Sequence, residues 1–335
     1  MQEVVYLGMI NKSRKLFDML PRLLLAPLET SVQELKFFHE LFPSCPRIFI
    51  KRDDFIGPLV WGNKLRKLEY TLAEAQRQGA DTLITTGGMQ SNHARTTAQV
   101  ARQEGFDVIL VLNGKAPEKA RGNYLINKKL GVKIYAVPDR TDRIPKMKEI
   151  ANNLIAEGKK PFIVPLGASD EFGTLGFVKA SQELRLQEEQ LGCSFDYILH
   201  ASSSGGTQGG LILGKQLFGL NAKIIGISVD SSPEELSASI HQATDPIIDK
   251  LQLPISIHKD DIHVDTGYIG TGYGIPTEDS LNAEKLLAEK AGILLDQTYS
   301  AKAMSGLIDY IKKGFFKPKD KVLFWHTGGT IALFQ

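Results

Sequence analysis

The sequence predicts an α/β fold in which mainly parallel sheets are flanked by helices. Short β-rich segments alternate with longer segments of helical spacing, and this alternation occurs in both halves of the chain. Turns rich in glycine and serine follow several of the expected strands. Because a crossover helix between neighbouring strands leaves them parallel, the alternation indicates parallel sheets. Ligands bind outside the carboxyl ends of such strands, so each of these turns is a candidate wall of a binding site.

Length and composition agree with such a fold and exclude several classes of function. The chain has 335 residues, of which 42% are hydrophobic, so it can bury an ample core and is long enough for two lobes. Its 40 Lys and Arg residues nearly balance its 38 Asp and Glu residues, for a net charge of +2. This balance provides no electrostatic surface for nucleic acid or an anionic membrane, so we expect small molecules or other protein chains as partners.

Cysteine usage and the first residues of the chain predict a cytoplasmic protein without a metal site. Cys45 and Cys193 lie far apart and form no CxxC motif, which argues against a zinc site, a redox motif and a disulfide scaffold. The first twenty residues contain no continuous apolar segment. No apolar run approaches the roughly 18 residues of a membrane-spanning helix. We therefore expect neither export nor a membrane segment.

The elements expected in the first half follow from local patterns. Residues 47–51 (RIFIK) alternate apolar and basic side chains, as a strand does. Apolar residues then keep a helical spacing from position 65 to 75, and Gly79 supplies the stop, so a helix should begin near Lys64. The same rhythm continues with strands at 82–86, 108–112, 133–137 and 162–164 and with helices at 93–104, 118–130 and 146–157.

The second half repeats this logic with different loops. A strand at 197–201 leads into the loop SSSGGTQGG at 202–210. The segment GYIGTGYGIP at 267–276 is too rich in glycine to be regular secondary structure. The other expected elements are helices at 211–218, 233–242, 246–251, 277–291 and 302–313 and strands at 223–229 and 322–326.

The loop at 202–210 is the strongest local signal for a ligand. Its small residues let a ligand approach the backbone, and the helix that follows offers free N–H groups at its start. This pattern favours a phosphate site, although a plain tight turn can occupy the same position in a βα unit. A P-loop is not supported, because Gln216 replaces the Ser or Thr that would hold magnesium.

A second loop, MQSNH at 89–93, has the same geometry on a smaller scale. Ser91 or Asn92 at the helix N-terminus suits a carboxylate and is equally plausible as an ordinary N-cap, and the two interpretations are compatible. Lys64 also lies in or beside the first turn of an expected helix, where the helix dipole and burial both lower the pKa of an amine. With a phosphate loop and a carboxylate site, such a lysine indicates a Schiff base with pyridoxal 5'-phosphate and an amino-acid substrate.

Separated motifs along nearly the whole chain carry a resemblance to a known family. They are KRDD at 51–54, GNKLRKLE at 62–69, QSNH at 90–93, SxSxGTxxGL at 202–211, GYGIP at 272–276, LDxxYxxKAMxGLI at 295–308 and HTGG at 326–329. In these motifs the sequence resembles the pyridoxal-phosphate enzymes that include 1-aminocyclopropane-1-carboxylate (ACC) deaminase and D-cysteine desulfhydrase. One departure is Ser203, where relatives often have glycine, and it affects the expected path of the phosphate loop.

The resemblance implies a fold, a domain organisation and an oligomeric state. The fold is the tryptophan-synthase-β-like one, fold type II of the pyridoxal-phosphate enzymes, with a mainly parallel twisted sheet in each of two domains. Residues 1–64 and 176–335 would form the larger cofactor domain, and residues 65–175 a smaller domain inserted after the Schiff-base lysine. A homodimer is implied by the resemblance alone.

The resemblance also implies roles for individual residues. Lys64 is similar to the Schiff-base lysine, Lys67 to a basic residue near the phosphate, and Asn92 to a residue beside the 3'-hydroxyl of the cofactor. Ser300 and Thr327 occupy further cofactor positions. The implied phosphate ligands are Ser204, Gly205, Gly206 and Thr207, and the implied ligands of the substrate carboxylate are Ser91, Asn92 and His93. The residues implied to be catalytic are Lys64, Ser91, Tyr273 and Tyr299, the two tyrosines as acid, base or proton relay.

Two of these positions bear on the substrate. The deaminases resemble one another in having Glu after the second tyrosine, as partner of the pyridine nitrogen, and this chain has Ser300 there. A hydroxyl makes the ring a weaker electron sink than a carboxylate does, which suits removal of an α-proton and loss of a good β-leaving group. The deaminases also resemble one another in having Leu where this chain has Thr327, and the desulfhydrases in having Thr.

These residues leave three functions to compare. The one they favour is α,β-elimination of D-cysteine, or a related β-substituted D-amino acid, to pyruvate, ammonia and sulfide. The alternative is ACC deaminase activity, which gives 2-oxobutyrate and ammonia and against which Ser300 argues. A third is a carrier of pyridoxal phosphate without catalysis, against which Tyr273 and Tyr299 argue. The preference for D- over L-cysteine comes from the resemblance and not from the residues themselves.

Overall fold

A computed structural model of the chain describes residues 2–57 and 62–334. The described residues confirm the α/β fold, because they form two mainly parallel sheets flanked by helices. The helices are α1 (Gln2–Asp18), α2 (Phe37–Leu41), α3 (Asn63–Arg77), α4 (Asn92–Gln103), α5 (Gly122–Lys129), α6 (Arg143–Ala156), α7 (Leu175–Leu191), α8 (Gly206–Phe218), α9 (Pro233–Lys250), α10 (Glu278–Ala291) and α11 (Ser300–Lys312). The strands are β1 (Val32–Glu34), β2 (Arg47–Arg52), β3 (Thr82–Gly88), β4 (Asp107–Asn113), β5 (Lys133–Val137), β6 (Pro161–Ile163), β7 (Tyr197–Ser202), β8 (Lys223–Ser228), β9 (His263–Asp265) and β10 (Lys321–His326).

The larger sheet has six strands in the order β1-β2-β10-β7-β8-β9. They are parallel except that β1 pairs antiparallel with β2. Side chains of β10 alternate between two cores: Leu323 and Trp325 pack with α7 and α8, whereas Val322 and Phe324 pack with α10 and α11. Both faces of this part of the sheet are therefore covered by helices, as a parallel sheet requires.

The smaller sheet has four parallel strands in the order β5-β4-β3-β6. Leu83 and Leu110 pack with α3 and α4 on one face, and Ile84 and Val111 pack with α6 on the other. Because β3 and β4 run parallel and end side by side, the loops that follow them share one edge of the sheet. That edge carries the loop MQSNH at 89–93.

Two helices differ from the sequence prediction for reasons of packing. Helix α8 begins at Gly206, not at 211, because the glycines that suggest a long loop permit close contact with α7. A Cβ on Gly210 would lie 2.4 Å from the Cβ of Phe177. Helix α9 is continuous through Pro246, where the sequence predicts two helices. Its buried apolar face extends past the proline to Ile247, so packing outweighs the hydrogen bond that proline cannot make.

Helix α1 is not evident from the sequence. Between residues 6 and 18 this helix buries only Ile10, Ser13 and Phe17, so its sequence lacks the wide apolar stripe from which a helix is usually inferred. The predicted domain division stays a prediction, and both of its boundaries fall in the first turn of a helix, α3 or α7. No described helix is long and apolar enough to cross a membrane. Across the described ranges, no group of three or more His, Cys, Asp or Glu side chains could hold a metal ion.

Candidate active site

A cavity lies at the carboxyl ends of strands from both sheets. Its empty space, with the mouth included, is about 1000 Å³. Loops after β3, β7 and β10 form much of the wall, as expected for parallel sheets. Three of the site residues inferred from the sequence, Lys67, Gly206 and Ser300, are not part of this lining. The cavity brings together the other ten, which are Lys64, Ser91, Asn92, His93, Ser204, Gly205, Thr207, Tyr273, Tyr299 and Thr327.

Lys64 lies in the first turn of α3 and faces the cavity. The helix starts after Gly62, which has φ +64°, and a Cβ at that glycine would lie 2.5 Å from the carbonyl oxygen of Thr327. The N–H of Asn63 donates to the same oxygen at 3.0 Å. The start of α3 is thus attached to the loop after β10. Burial lowers the pKa of Lys64 to about 8, so a substantial fraction of this amine is neutral near physiological pH.

Lys67 lies one turn further along α3, beside the start of α8. Its Nζ donates to the carbonyl oxygen of Gly167 at 3.2 Å and to Oγ of Ser169 at 2.9 Å, and both acceptors are neutral. A Cβ on Gly206 would lie 2.9 Å from the Lys67 Nζ, so only glycine fits at this point. Burial, and secondarily the charge of Lys64, hold the pKa of Lys67 well below its usual value.

The start of α8 and Lys67 together fit a phosphate group. Gly205, with φ +78°, turns the chain so that the first N–H groups of α8 point out of the helix end. A buried ammonium beside the positive end of a helix is unfavourable by itself, and an anion bound between them stabilises both. Ser204 extends this donor set, because its Oγ lies 2.8 Å from the Oγ of Ser169, and Ser169 in turn accepts a hydrogen bond from the lysine.

The N-terminus of α4 forms a second site for an anion. Ser91 is the N-cap residue, and its Oγ accepts the N–H of Ala94 at 3.1 Å. The side chain therefore acts as a cap, while Ser91, Asn92 and His93 also line the cavity. A carboxylate at this point would meet the free N–H groups at the start of the helix. The loop can therefore cap the helix and also receive a carboxylate.

His93 contributes to this wall as a neutral group. Its Nε2 lies 2.8 Å from Oγ1 of Thr85, and that hydroxyl donates to the carbonyl oxygen of Val164 at 2.9 Å. The network therefore assigns the imidazole proton to Nε2, and Nδ1 lies 3.4 Å from Oγ1 of Thr97. Burial, and secondarily Lys64 and Lys67, hold the pKa of His93 well below its usual range. The predicted interaction of His93 with a substrate stays a prediction, and it would involve a neutral imidazole rather than a charged one.

The amide of Asn92 is oriented by neighbouring side chains. Arg95 can only donate, and its Nε bonds Oδ1 of Asn123 at 3.0 Å. The Nδ2 of Asn123 then donates to Oδ1 of Asn92 at 2.8 Å and to the backbone oxygen of Gln90 at 2.9 Å. Consequently Asn92 has its NH2 group available as a donor for the cavity. Asn123 is fully buried and had no signal in the sequence patterns.

Tyr273 and Tyr299 meet at the wall of the cavity. Their hydroxyl groups form a hydrogen bond, and their rings pack edge to face with centroids 5.9 Å apart. Burial raises the pKa of both phenols above the usual value, so both are protonated at neutral pH. Lys302 holds the loop that carries Tyr273, because its Nζ donates to the backbone oxygens of Ile269 and Gly272 at 2.7 and 2.9 Å.

Ser300 is engaged with a buried carboxyl group. Its Oγ donates to Oδ1 of Asp296 and accepts the N–H of Asp296, each at 2.7 Å. Burial raises the pKa of Asp296, a rise opposed by hydrogen bonds from Ser300 and Tyr299. A Cβ on Gly329 would lie 2.8 Å from this carboxyl group, so Asp296 adjoins the loop that lines the cavity. The predicted contact of Ser300 with a cofactor stays a prediction.

Among the residues of the cavity wall that the sequence does not predict, four stand out. They are Asn113, Arg140, Arg143 and Asp230, which follow or end the strands β4, β5 and β8. Their position at carboxyl ends of parallel strands is the signal that could have found them. Arg140 and Asp230 form an ion pair at 2.8 Å, and the Arg140 guanidinium lies 5.3 Å from the ring centroid of Tyr273.

Comparisons with known proteins show which family the chain resembles. A family model described as pyridoxal-phosphate dependent enzyme matches residues 24–328. A protein of Pyrococcus furiosus named putative 1-aminocyclopropane-1-carboxylate deaminase is 38% identical over 329 residues, which cover 97% of this chain and 96% of that protein. A protein of Klebsiella pneumoniae named D-cysteine desulfhydrase is 38% identical over 292 residues, which cover 86% of this chain and 88% of that protein.

Solved structures show the same similarity at the level of the fold. The crystal structure of an ACC deaminase homologue has a TM-score of 0.87 at 35% sequence identity, and the match covers 96% of each chain. The processed form of threonine deaminase isoform 2 from Solanum lycopersicum has a TM-score of 0.65 at 18% identity, covering 95% of this chain and 85% of that one. The latter likeness concerns the fold alone.

Proposed function

Because the chain belongs to the family of pyridoxal-phosphate-dependent enzymes, we propose that it eliminates the β-substituent of D-cysteine or a related D-amino acid. The products from D-cysteine are pyruvate, ammonia and sulfide. Family membership confirms the cofactor and the enzyme class that the motifs predict. The single observation that carries the choice of reaction is Ser300, a hydroxyl in place of the glutamate of the deaminase pattern. The similarity to D-cysteine desulfhydrases supports the same choice.

The cavity fits the cofactor at both of its ends. Lys64 is the amine that would hold it covalently, and burial lowers the pKa of this amine to about 8, toward the neutral form that reacts. The loop at 203–207, the start of α8 and Lys67 would hold the phosphate. The NH2 group of Asn92 is a donor for the 3'-oxygen. When bound, pyridoxal phosphate supplies a conjugated ring that takes up the electron pair left at the α-carbon of the substrate.

The substrate carboxylate would lie at the start of α4, against the N–H groups at Ser91, Asn92 and His93. The α-carbon would then lie in the same cavity as Lys64 and the tyrosine pair. Lys64, with its pKa of about 8, is the base best matched to removal of the α-proton at neutral pH. Tyr273 and Tyr299 are protonated there and can donate a proton to the departing sulfur.

The choice between substrates is tested by the oxo acid that is released. Purified holoenzyme is incubated with D-cysteine, L-cysteine or ACC, and sulfide, pyruvate and 2-oxobutyrate are measured. The proposal expects sulfide and pyruvate from D-cysteine, faster than from L-cysteine, and little 2-oxobutyrate from ACC. Release of 2-oxobutyrate from ACC without sulfide from D-cysteine would overturn the proposal and favour deaminase activity, in line with the name of the Pyrococcus relative.

The role of Lys64 is tested by Lys64→Ala. This variant should lose the visible absorbance of lysine-bound cofactor and at least about a thousandfold in turnover, because both the covalent link and the base are removed. Lys148→Ala removes an exposed lysine and is the matched control, which should keep both properties. An unchanged spectrum in Lys64→Ala contradicts the assignment.

The proposal includes a homodimer in a reducing cytoplasm, with the domain boundaries at 64/65 and 175/176. Family resemblance supports the dimer, and the absence of a CxxC motif supports the compartment. Sedimentation of the holoenzyme tests the oligomeric state, with a mass near 74 kDa expected from the 37.0 kDa chain. A monomer at micromolar concentration contradicts this part of the proposal.

A further inference from the structure

One part of the cavity wall carries four charged or polar side chains that the proposed reaction does not use. Arg140 and Arg143 follow strand β5, Asn113 ends β4, and Asp230 follows β8, so residues after strands of both sheets meet here. Tyr273 completes the wall. All five residues line the same cavity as the Schiff-base lysine. The question is what balances the charge of this wall.

Arg140 is balanced within the protein. Its NH2 group lies 2.8 Å from Oδ2 of Asp230, whose side chain is only 7% exposed. The same guanidinium stacks near the ring of Tyr273, at 5.3 Å from the centroid. Asp230 is thus committed to Arg140, and the pair joins the loops that follow the two sheets.

Arg143 is not balanced in this way. Its Nε donates to the carbonyl oxygen of Arg140 at 3.0 Å, and one terminal nitrogen lies 3.5 Å from Oδ1 of Asn113. Both acceptors are neutral, and no carboxylate in the described part of the chain forms a salt bridge with this guanidinium. Burial, and secondarily the charge of Arg140, lower the pKa of Arg143 below its usual value, and the weaker opposing effects of Tyr273 and Asp230 do not restore it. A half-buried guanidinium that faces a cavity is therefore stabilised by an anion bound in that cavity.

The other anions of the proposed complex have places elsewhere. The phosphate would lie at the start of α8 with Lys67, and the α-carboxylate at the start of α4. Resting on that proposed function, we propose that Arg143 binds an anionic group on the β-substituent of the substrate. The enzyme would then prefer D-amino acids whose β-substituent carries an oxyanion to those whose β-substituent is neutral. Tyr273, beside this wall, would face the same substituent.

A binding experiment with matched ligands tests this inference. Holoenzyme is titrated with D-serine and with O-phospho-D-serine, and the change in absorbance of the lysine-bound cofactor gives each dissociation constant. Wild type should bind the phosphorylated ligand at least about tenfold more tightly, since a charge-assisted hydrogen bond contributes roughly 1.5–3 kcal/mol. Arg143→Gln should reduce this ratio to within about twofold of unity, and Arg143→Lys should retain part of it. Lys148→Gln makes the same change of charge on an exposed part of α6 and should retain all of it.

Each outcome decides the inference. A wild-type ratio near one overturns it, and so does an Arg143→Gln variant that weakens both ligands equally, because Arg143 then holds the α-carboxylate. Thermal unfolding of each holoenzyme checks that the variants are folded. If Arg143→Gln does not fold, Arg143→Lys still tests the inference. The readout does not require elimination: a lost preference with sulfide still released overturns only this inference. A retained preference without sulfide from D-cysteine overturns only the proposed function.

Discussion

Helix α3 carries two sets of buried cations that differ in how their charge is balanced. Arg66 donates from Nε and NH2 to both carboxylate oxygens of Asp53, each at 2.8 Å, and from NH1 to Glu183 at 2.7 Å. Asp53 also accepts the indole N–H of Trp325 at 2.8 Å. Burial opposes the charge of Arg66, but Asp53 and Glu183 outweigh it and raise its pKa. The KRDD motif supplies Asp53 and also Lys51, which contacts Glu183.

Lys64 and Lys67 lie one turn apart on the same helix and show the opposite behaviour. The hydrogen-bond partners of Lys67 are neutral, and burial lowers the pKa of both lysines. Arg66 therefore anchors α3 to α7 through Glu183 and, through Asp53, to the end of β2 and to Trp325 of β10. The anchored helix presents two lysines that form no ion pair within the described part of the chain. The comparison teaches that buried charges close in sequence can differ in role: the balanced one is structural, and the unbalanced ones are those that we expect to bind a ligand.

The largest effect on stability is expected at the balanced cation. Arg66→Met leaves Asp53 buried without its salt bridge and removes one of the two cations at Glu183, which should lower the free energy of unfolding by about 3–5 kcal/mol. Urea unfolding of the cofactor-free protein measures this loss. Arg77→Met is the matched control, because Arg77 lies on the same helix but is exposed, and it should change little. Equal stability of both variants would contradict the anchoring role of Arg66.

Lys67→Met should separate binding from stability. The cofactor-free variant should be as stable as wild type or more so, because a buried ammonium with neutral partners is removed. Its dissociation constant for pyridoxal phosphate should rise about 10- to 100-fold, the effect of losing a charge-assisted hydrogen bond. Pyridoxal without the phosphate serves as the control ligand, whose affinity should be much less affected. A variant that loses stability but not affinity would show that Lys67 belongs with Arg66.

The smallest effect is a pH dependence of stability from Lys64. Its folded pKa of about 8 lies below the usual 10.5, so between these values the unfolded chain binds more protons than the folded one. Cofactor-free wild type should therefore gain stability over Lys64→Met as the pH rises from about 8 to 10.5, by at most about 3 kcal/mol. Urea unfolding at three pH values measures the difference. A difference between the two proteins that does not change with pH contradicts the lowered pKa.

The sequence predicts the features of this molecule that depend on local patterns. The strand expected at 133–137 is β5, and the helix expected near Lys64 is α3, because alternation and helical spacing are visible within a few residues. The glycine and serine loops after the strands are equally local signals, and they contribute to the cavity as expected. The family motifs add the cofactor, which no single loop could establish.

What the sequence does not predict depends on contacts between distant residues. Arg140 and Asp230 form an ion pair although they are 90 positions apart. The partners of Ser300 and the orientation of Asn92 result from packing around them, so the residue types alone do not reveal them. Helix α8 is misjudged for the same reason, because its glycines reflect the closeness of α7 and not a loop.

The position of β10 has a consequence for how the protein is made. This strand follows the other described strands in chain order, yet it lies between β2 and β7 in the middle of the larger sheet. The carbonyl oxygen of Thr327, directly after it, holds the start of α3. During synthesis the sheet therefore stays divided until residues 321–326 have left the ribosome, and the hydrogen bond between Asn63 and Thr327 at the start of α3 can form only after that. A cofactor held by Lys64 would therefore meet this attachment only after residues 321–327 have been translated.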